Sequence, residues 1–415
     1  MINETKAESP EKALLVCVDF GAYDPDSSLD ELESLAKTAG AQVEARVVQK
    51  RDKPDIATYI GAGRLDEIKE FCENNEIDLI IFDGELSPSQ QRNVEDVTDV
   101  RVIDRTMLIL DIFASRARTN EGKLQVELAQ LKYSLPRLGG KGAEMSRLGG
   151  GIGTRGPGET KLESDRRHIR RRIAALTNEL KNIEQRRNNL RKRRKKDGIL
   201  TAAIVGYTNA GKSTLMNCLT NAGVLAQDKL FATLDPTSRG LDLPDGRRIM
   251  LVDTVGLIRR LPHHLVEAFK STLEEAVFAD VILNVCDASS DECNEHLEVT
   301  QRLLDSLGCS DKPVISVMNK CDKVENIYDI IPLGKVVMIS ALNATGVDKL
   351  LDAIVEELPK TRKTAELLIP YSSGDVAAAF RSDGVVLEED YREDGIYLKL
   401  ICDIRLIEKY KEYLI

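Results

Sequence analysis

No apolar run in these 415 residues approaches the length of a membrane span. The first ten residues, Met1 to Pro10, are polar and mixed in charge. They lack the apolar stretch of a secretory signal, so export is not expected. Lipidation motifs and amphipathic anchors are missing too, so no stable membrane anchor is expected. The eight cysteines, at 17, 72, 218, 286, 293, 309, 321 and 402, form no CxxC pair, and there are only four histidines. That scatter speaks against a zinc cluster or a disulfide framework. It fits buried, reduced thiols in a reducing, cytoplasmic setting. No internal repeat is present. With 42% hydrophobic and 30% charged residues the composition is that of an ordinary soluble protein, and the length predicts two to four domains rather than one core.

A net charge of −10 argues against nucleic acid as a partner, but the charge is unevenly spread. Between Lys161 and Asp197 there are 15 Lys/Arg and 5 Asp/Glu, a basic element on an acidic chain. Around it the pattern divides into four pieces. Over 11–104, short apolar runs (ALLVCVDF, QVEARVV, DLIIFDG) alternate with helical stretches (SLDELESLAKTAG, RLDEIKEFCENN), which predicts a small parallel α/β domain. Over 105–197, Leu124, Leu128, Leu131, Leu135 and Leu138 form one 4-3-4-3 seam. Ile169, Ile173, Leu176, Leu180 and Ile183 form a second. The segment 139–158 between them holds nine glycines, so an antiparallel helical hairpin with a glycine-rich tip is expected. Strand–loop–helix patterning returns over 198–360, and 361–415 reads as a small α+β domain.

The third piece carries the chemistry. The strand LTAAIV runs into Gly206-Tyr207-Thr208-Asn209-Ala210-Gly211-Lys212-Ser213 and then a helix, the GxxxxGKS phosphate loop in its required context. Its glycines let backbone N–H groups face the β- and γ-phosphates at a helix N-terminus. Lys212 adds a point charge, and the Ser213 hydroxyl is a magnesium ligand. Phe231-Ala232-Thr233-Leu234-Asp235 offers a second hydroxyl for the metal at Thr233. Asp253-Thr254-Val255-Gly256 ends an apolar strand, with Asp253 able to reach the ion through water and the Gly256 N–H able to approach the γ-phosphate. Lys212, Thr233 and Gly256 are therefore the candidate catalytic positions. Asn319-Lys320-Cys321-Asp322 decides the base: the Asp322 carboxylate can accept from two guanine donors, where adenine would leave a buried charge unpaired. Lys320 would pack along the base, Asn319 would tie this loop to the phosphate loop, and Ser340-Ala341-Leu342 would close the pocket. A strand-end turn with a solvated acid would explain NKCD alone, but not after a phosphate loop and DTVG. GTP/GDP and Mg2+ are the expected ligands. In many regulatory GTPases a Gln follows the DxxG glycine and orients the attacking water. Here the position is Leu257, so slow intrinsic hydrolysis is expected, with the missing group supplied by a partner or another loop.

Together these motifs resemble the TRAFAC GTPases. FATLDPTSR with DTVGLIRRLPHHLVEAFKSTLEEA is similar to the HflX family, as is LGGGIGTRGPGETKLE in the helical region, which ordinary G domains do not carry. The resemblance is strongest from Arg118 to Ala276 and weakest in the last fifty residues. It implies a P-loop GTPase domain with a mostly parallel sheet, an N-terminal α/β domain, an antiparallel helical hairpin and a small C-terminal α+β domain. It also implies a ribosome-associated monomer that binds the large subunit and splits or rescues stalled or idle ribosomes. Family members usually carry Phe where this chain has Leu257. Arg166, Arg167, Arg170, Arg171, Arg172, Arg186, Arg187 and the 191–196 run could track RNA phosphates with salt-dependent affinity. The bland alternative is a solvated helix face. A competing reading of the whole is an RNA-binding assembly or remodelling factor in which GTP acts as a lock. Gly61-Ala62-Gly63-Arg64 could touch a phosphate, although a strand-to-helix turn accounts for it more simply.

Overall fold

The structure is a computed structural model that describes residues 10–138, 157–220, 230–231, 237–260, 273–324, 334–359 and 362–415. From Lys12 to Arg116 the chain builds a four-stranded parallel sheet, order β2-β1-β3-β4, with its helices. The strands are β1 (Lys12–Asp19), β2 (Gln42–Lys50), β3 (Leu79–Phe82) and β4 (Arg101–Asp104). The helices between them are α1 (Pro25–Ala39), α2 (Ala62–Asn75), α3 (Pro88–Thr98) and α4 (Arg105–Arg116). Local chemistry sets their limits. The Asp24 carboxylate accepts from the Asp26 and Ser27 N–H groups ahead of α1, and Pro25 occupies its first turn. Ser87 and Gln90 form a reciprocal capping box on α3. Gly61 caps α2, and its N–H donates to Gln49 Oε1 at 2.8 Å, so the GAGR cluster is a strand-to-helix turn.

Helix α5 (Asn120–Ser134) and the 41-residue α6 (Pro157–Asp197) form the arms of the hairpin. They run antiparallel: Arg166 reaches the Leu138 carbonyl, Arg172 reaches Glu127, and Arg187 reaches Glu121. On α6 the expected seam is the covered side, with Leu176 fully buried and Ile169, Ile173, Leu180 and Ile183 partly so. Of the first expected seam only Leu124 is buried, with Leu128, Leu131, Leu135 and Leu138 partly so. On α5 burial moves to Val126, Ala129 and Tyr133, because α5 also packs on α4. Of the segment 139–158, expected as a glycine-rich tip, 139–156 lie outside the described residues and Pro157 and Gly158 already belong to α6.

The next sheet has six strands in the order β10-β9-β8-β5-β7-β6, parallel except for β6. These are β5 (Thr201–Gly206), β6 (Thr237–Asp242), β7 (Arg248–Asp253), β8 (Val281–Asp287), β9 (Val314–Asn319) and β10 (Lys335–Met338). Helices α7 (Lys212–Thr220), α8 (Cys293–Ser306) and α9 (Val347–Glu357) pack on it. Going outward from β5, β8, β9 and β10 lie on one side and β7 then the edge strand β6 on the other, so the connection switches sides at β5 and leaves a crevice beside its C-terminal end. The C-terminal sheet is antiparallel, β11-β13-β12. It comprises β11 (Arg362–Ile369), β12 (Val385–Arg392) and β13 (Gly395–Asp403). Helix α10 (Gly374–Asp383) covers one face. Among the described residues no helix is long and apolar enough to cross a membrane.

Candidate nucleotide site

Four sequence motifs meet where the parallel strands of the six-stranded sheet end. The phosphate loop leaves β5, DTVG leaves β7, NKCD leaves β9 and the Ser340 loop follows β10. Lys212 opens α7 and folds back into its own loop, where Nζ donates to the Gly206 and Tyr207 carbonyls at 3.0 and 2.7 Å. Burial pushes its ammonium down to about 8, against the opposing pull of Asp253. Ser213 Oγ donates to Asp253 Oδ2 at 3.1 Å, so the phosphate loop and the DxxG strand share one oxygen-rich corner. Leu257 pairs with the loop on both sides: its N–H donates to the Gly206 carbonyl and its carbonyl accepts from Thr208 N–H. Gly256 sits against the loop so closely that a Cβ there would lie 2.7 Å from Thr208 Cγ2 and 3.1 Å from Lys212 Nζ.

Asn319 links the base loop to the rest. Its Nδ2 donates to the Ala210 carbonyl at 2.9 Å, and its Oδ1 accepts from Ala341 N–H at 2.9 Å. Only glycine fits opposite it at 211, where φ is +91° and a Cβ would fall 2.2 Å from Asn319 Nδ2. Lys320 adopts a left-handed backbone, φ 63°, and pairs with Asp287 at 2.7 Å. Although burial alone would raise the Asp287 carboxyl, the Lys320 and Ser289 hydrogen bonds hold it below its ordinary value. Asp322 and Leu342 are exposed beside this loop, while Ser340 is buried and its Oγ accepts from Asn343 N–H. Phe231 is buried. Ala232, Thr233, Leu234 and Asp235 lie outside the described residues, so the second hydroxyl proposed for the metal does too.

Sequence reasoning missed what lies beneath the DxxG loop. Phe231, Val255, Leu257, Ile258 and Tyr207 share one core with α1 and α4 of the N-terminal sheet, and the Phe231 ring meets Phe113 edge-on at 4.6 Å. Around that core runs a charge network. Buried Arg105 reaches Glu31 at 2.7 Å and Asp83 at 3.0 Å. Arg260 reaches Asp83 at 2.7 Å and lies over the Tyr23 ring. Arg259 bridges Glu292 and Glu295 of the α8 region at 2.8 and 2.9 Å and donates to Ser27 Oγ. Tyr207, from the phosphate loop, donates to Glu31, accepts from Arg259 N–H and stacks on His296 at 3.8 Å. Burial, then the nearby Arg259 cation, holds His296 below its ordinary value. The only advance signal was the RR pair after DTVGLI.

The basic stripe also needs correcting. Arg166, Arg172, Arg187 and Arg191, read as RNA-facing, are engaged within the molecule. Arg187 and Arg191 pair with Glu274, and Arg191 with Glu275 at 2.6 Å. Arg167, Arg170, Arg171, Arg186, Lys192 and Arg193 remain exposed. The cysteines are free thiols, six of them buried. No group of three or more potential metal-ligating side chains occurs among the described residues.

Fold and loops together define a P-loop GTPase, an enzyme that binds GTP and GDP and hydrolyses the triphosphate. Comparison with known proteins narrows this class. Residues 26–114 match the family described as "GTP-binding GTPase N-terminal", 116–194 the "GTP-binding GTPase Middle Region" and 201–320 the "50S ribosome-binding GTPase". The GTPase HflX of Caldanaerobacter subterraneus is 50% identical over 414 residues, covering 99% of this chain and 96% of that protein. The Escherichia coli GTPase HflX is 41% identical over 393 residues, covering 94% and 92%. A solved chain described as "crystal structure of SsGBP and GDP complex" aligns at 30% identity over 83% of this chain and 98% of its own, with a TM-score of 0.47. The chain belongs to the HflX GTPase family.

Proposed function

We propose that this GTPase binds the large ribosomal subunit through the exposed basic face of α6 and the glycine-rich segment before it. GTP holds it there to split or rescue stalled or idle ribosomes, and ribosome-stimulated hydrolysis releases it. The observation that carries this reading is the run of exposed cations Arg167, Arg170, Arg171, Arg186, Lys192 and Arg193 on one long helix. Phosphate contacts of that kind give affinity that falls with salt. The 50S ribosome-binding description of the family matched by 201–320 supports the same partner.

Within the site, Lys212 and the phosphate-loop N–H groups grip the β- and γ-phosphates. Asp322 reads guanine, Lys320 lies along the base, and Ser340, Ala341 and Leu342 close over it. The Gly256 N–H and the Thr233 hydroxyl would contact the γ-phosphate. The Ser213 hydroxyl and the Asp253 carboxylate stand 3.1 Å apart, an all-oxygen pair suited to magnesium. Ser213 and Thr233 would hold the ion, with Asp253 reaching it through water. When bound, magnesium neutralises charge on the transferring phosphoryl group. Leu257 cannot orient water through a hydrocarbon side chain, and both its backbone groups are committed to the phosphate loop. Intrinsic turnover is therefore slow, and the ribosome or another loop supplies the missing group.

Co-sedimentation with isolated large subunits tests this, comparing a non-hydrolysable GTP analogue with GDP across salt concentrations. Binding is expected with the analogue, weakening steeply as salt rises, and intact ribosomes should separate into subunits. Binding indifferent to both nucleotide and salt would refute the reading. Retention of subunits without splitting would favour an assembly factor locked by GTP.

A further inference from the structure

Two buried thiols stand apart from the other cysteines. Cys286 lies in β8 just before Asp287, and Cys293 opens α8. They are 1% and 4% exposed, with their sulfurs 2.8 Å apart. A disulfide bond is ~2.0 Å long, so joining them requires the sulfurs to approach by less than about 1 Å. The surroundings are apolar: Ala288, Leu297 and Met318 enclose the pair, and Cys321, Val324 and Val336 pack outside. The hydrogen bond from Cys286 holds the Cys293 thiol below its ordinary value, and the same contact with burial holds Cys286 above it.

What lies between the two thiols gives the pair a consequence. Asp287 takes Lys320 of the NKCD loop at 2.7 Å and accepts from the Ser289 N–H and hydroxyl. Glu292, next to Cys293, holds Arg259 of the DxxG loop at 2.8 Å and accepts from the Ser27 hydroxyl. One short segment thus braces the base loop at one end and the DxxG loop at the other, with the sulfur pair at its neck. Simple packing of small apolar groups would not require two thiols in contact at that neck.

We propose that Cys286 and Cys293 are a dithiol site for hydroperoxides, and that their conversion to a disulfide tightens the segment that anchors Lys320 and slows nucleotide release. The Cys293 thiolate attacks one peroxide oxygen, the O–O bond breaks, and the departing hydroxide takes a proton to leave as water, giving a sulfenic acid. The Cys286 sulfur then attacks the Cys293 sulfur. An S–S bond forms, the S–O bond breaks, and the hydroxide leaves as a second water with the Cys286 proton. Two thiols lose two electrons and one hydrogen peroxide is reduced to two waters. The effect on release rests on the guanine reading of the NKCD loop, because leaving that pocket requires local opening of the loop that Asp287 holds.

The test uses the full-length protein treated with hydrogen peroxide, quenched, alkylated and mapped by mass spectrometry. Release of a fluorescent GDP is then measured on the oxidised and reduced forms. The expected result is a dithiothreitol-reversible cross-link between the Cys286 and Cys293 peptides. GDP release should slow by about threefold or more in the oxidised form, since closing the loop removes open conformations. Cys293→Ser should abolish both changes. If that variant does not fold, the oxidised and reduced wild-type forms alone decide the matter. The proposal is overturned if both thiols stay alkylatable while half-buried Cys218 and Cys321 are consumed, or if the cross-link forms and release is unchanged. Mapping needs no nucleotide, so a missing cross-link sinks the thiol pair and leaves the guanine reading standing.

Discussion

Around Lys212 the chain builds with its backbone; around Arg105 it builds with side-chain charge. The phosphate loop is held by carbonyls of Gly206 and Tyr207, backbone hydrogen bonds with Leu257 and a glycine at 211 that alone leaves room for Asn319. The interface below draws Arg105 and Asp83 from the N-terminal sheet, Arg259 and Arg260 from the DxxG loop, and Glu292 and Glu295 from the α8 region. The two regions touch through Tyr207, whose backbone belongs to the first and whose hydroxyl belongs to the second. A backbone-built site depends on residue type at fixed local spacing, and tolerates little change in it. A charge-built interface depends on which distant segments the fold brings together, and on how completely it removes them from water.

The largest effect should come from the base loop. Asp322→Ala is expected to collapse the preference for guanosine over adenosine nucleotides by roughly 10⁴-fold, because discrimination rests on leaving a charge unpaired against the wrong base. Calorimetric titration with GDP and ADP measures this. Retained preference would show that the backbone around Ser340 and Ala341 reads the base without the carboxylate.

That contrast also explains what the sequence made legible. Gly206 to Ser213, DTVG and NKCD could be placed because their chemistry is local, while the Asn319 tie to the phosphate loop, 109 residues away, was expected only because the two motifs serve one nucleotide. The arginines could not be placed in this way. Arg260 and Asp83 are 177 residues apart in the chain, and Arg259 and Ser27 are 232 apart. No periodicity records such a pairing. Arg187 and Arg191 looked like part of a solvent-facing basic run because Glu274 and Glu275 sit more than eighty residues downstream. Strand β4 and helix α3 were missed for a different reason. RVID is four residues long, and α3 has a polar sequence whose start is set by the Ser87–Gln90 capping box rather than by an apolar stripe.

Next in size is Asp83→Ala. This carboxylate is fully buried and serves Arg105, Arg260 and Ser28 Oγ. Removing it leaves buried Arg105 with Glu31 alone and takes the carboxylate from Arg260, a loss of about 3 kcal/mol in urea unfolding. An unchanged midpoint would mean that the interface is held by its apolar core, Phe113 against Phe231, and not by charge.

A smaller effect separates the regions by pH. The Lys212 ammonium is depressed to about 8 from 10.5. The fold therefore disfavours its charged form. That penalty is complete below pH 8 and is relieved as pH rises from 8 to 10.5, so the protein without nucleotide gains stability across that window. Binding a triphosphate requires the charge. Affinity for GTP should accordingly weaken above pH 8, by up to about tenfold per pH unit for one linked proton. Equilibrium titrations at pH 7, 8 and 9 would reveal it, and a flat profile would mean that the backbone amides carry phosphate binding alone.

The smallest effect is the most direct check on why the interface matters. Arg302 and Glu298 pair on the surface of α8 at 2.7 Å, the same separation as Arg260 and Asp83. Geometry alone would rank the two pairs equal. Arg302 and Glu298, however, are 76% and 62% exposed, whereas Asp83 is at 0%. Water already solvates the surface pair, so Arg302→Ala should change unfolding stability by less than about 0.5 kcal/mol. A loss comparable to that of Asp83→Ala would mean that contact distance governs these pairs. The interface beneath the DxxG loop would then owe nothing special to its exclusion of water.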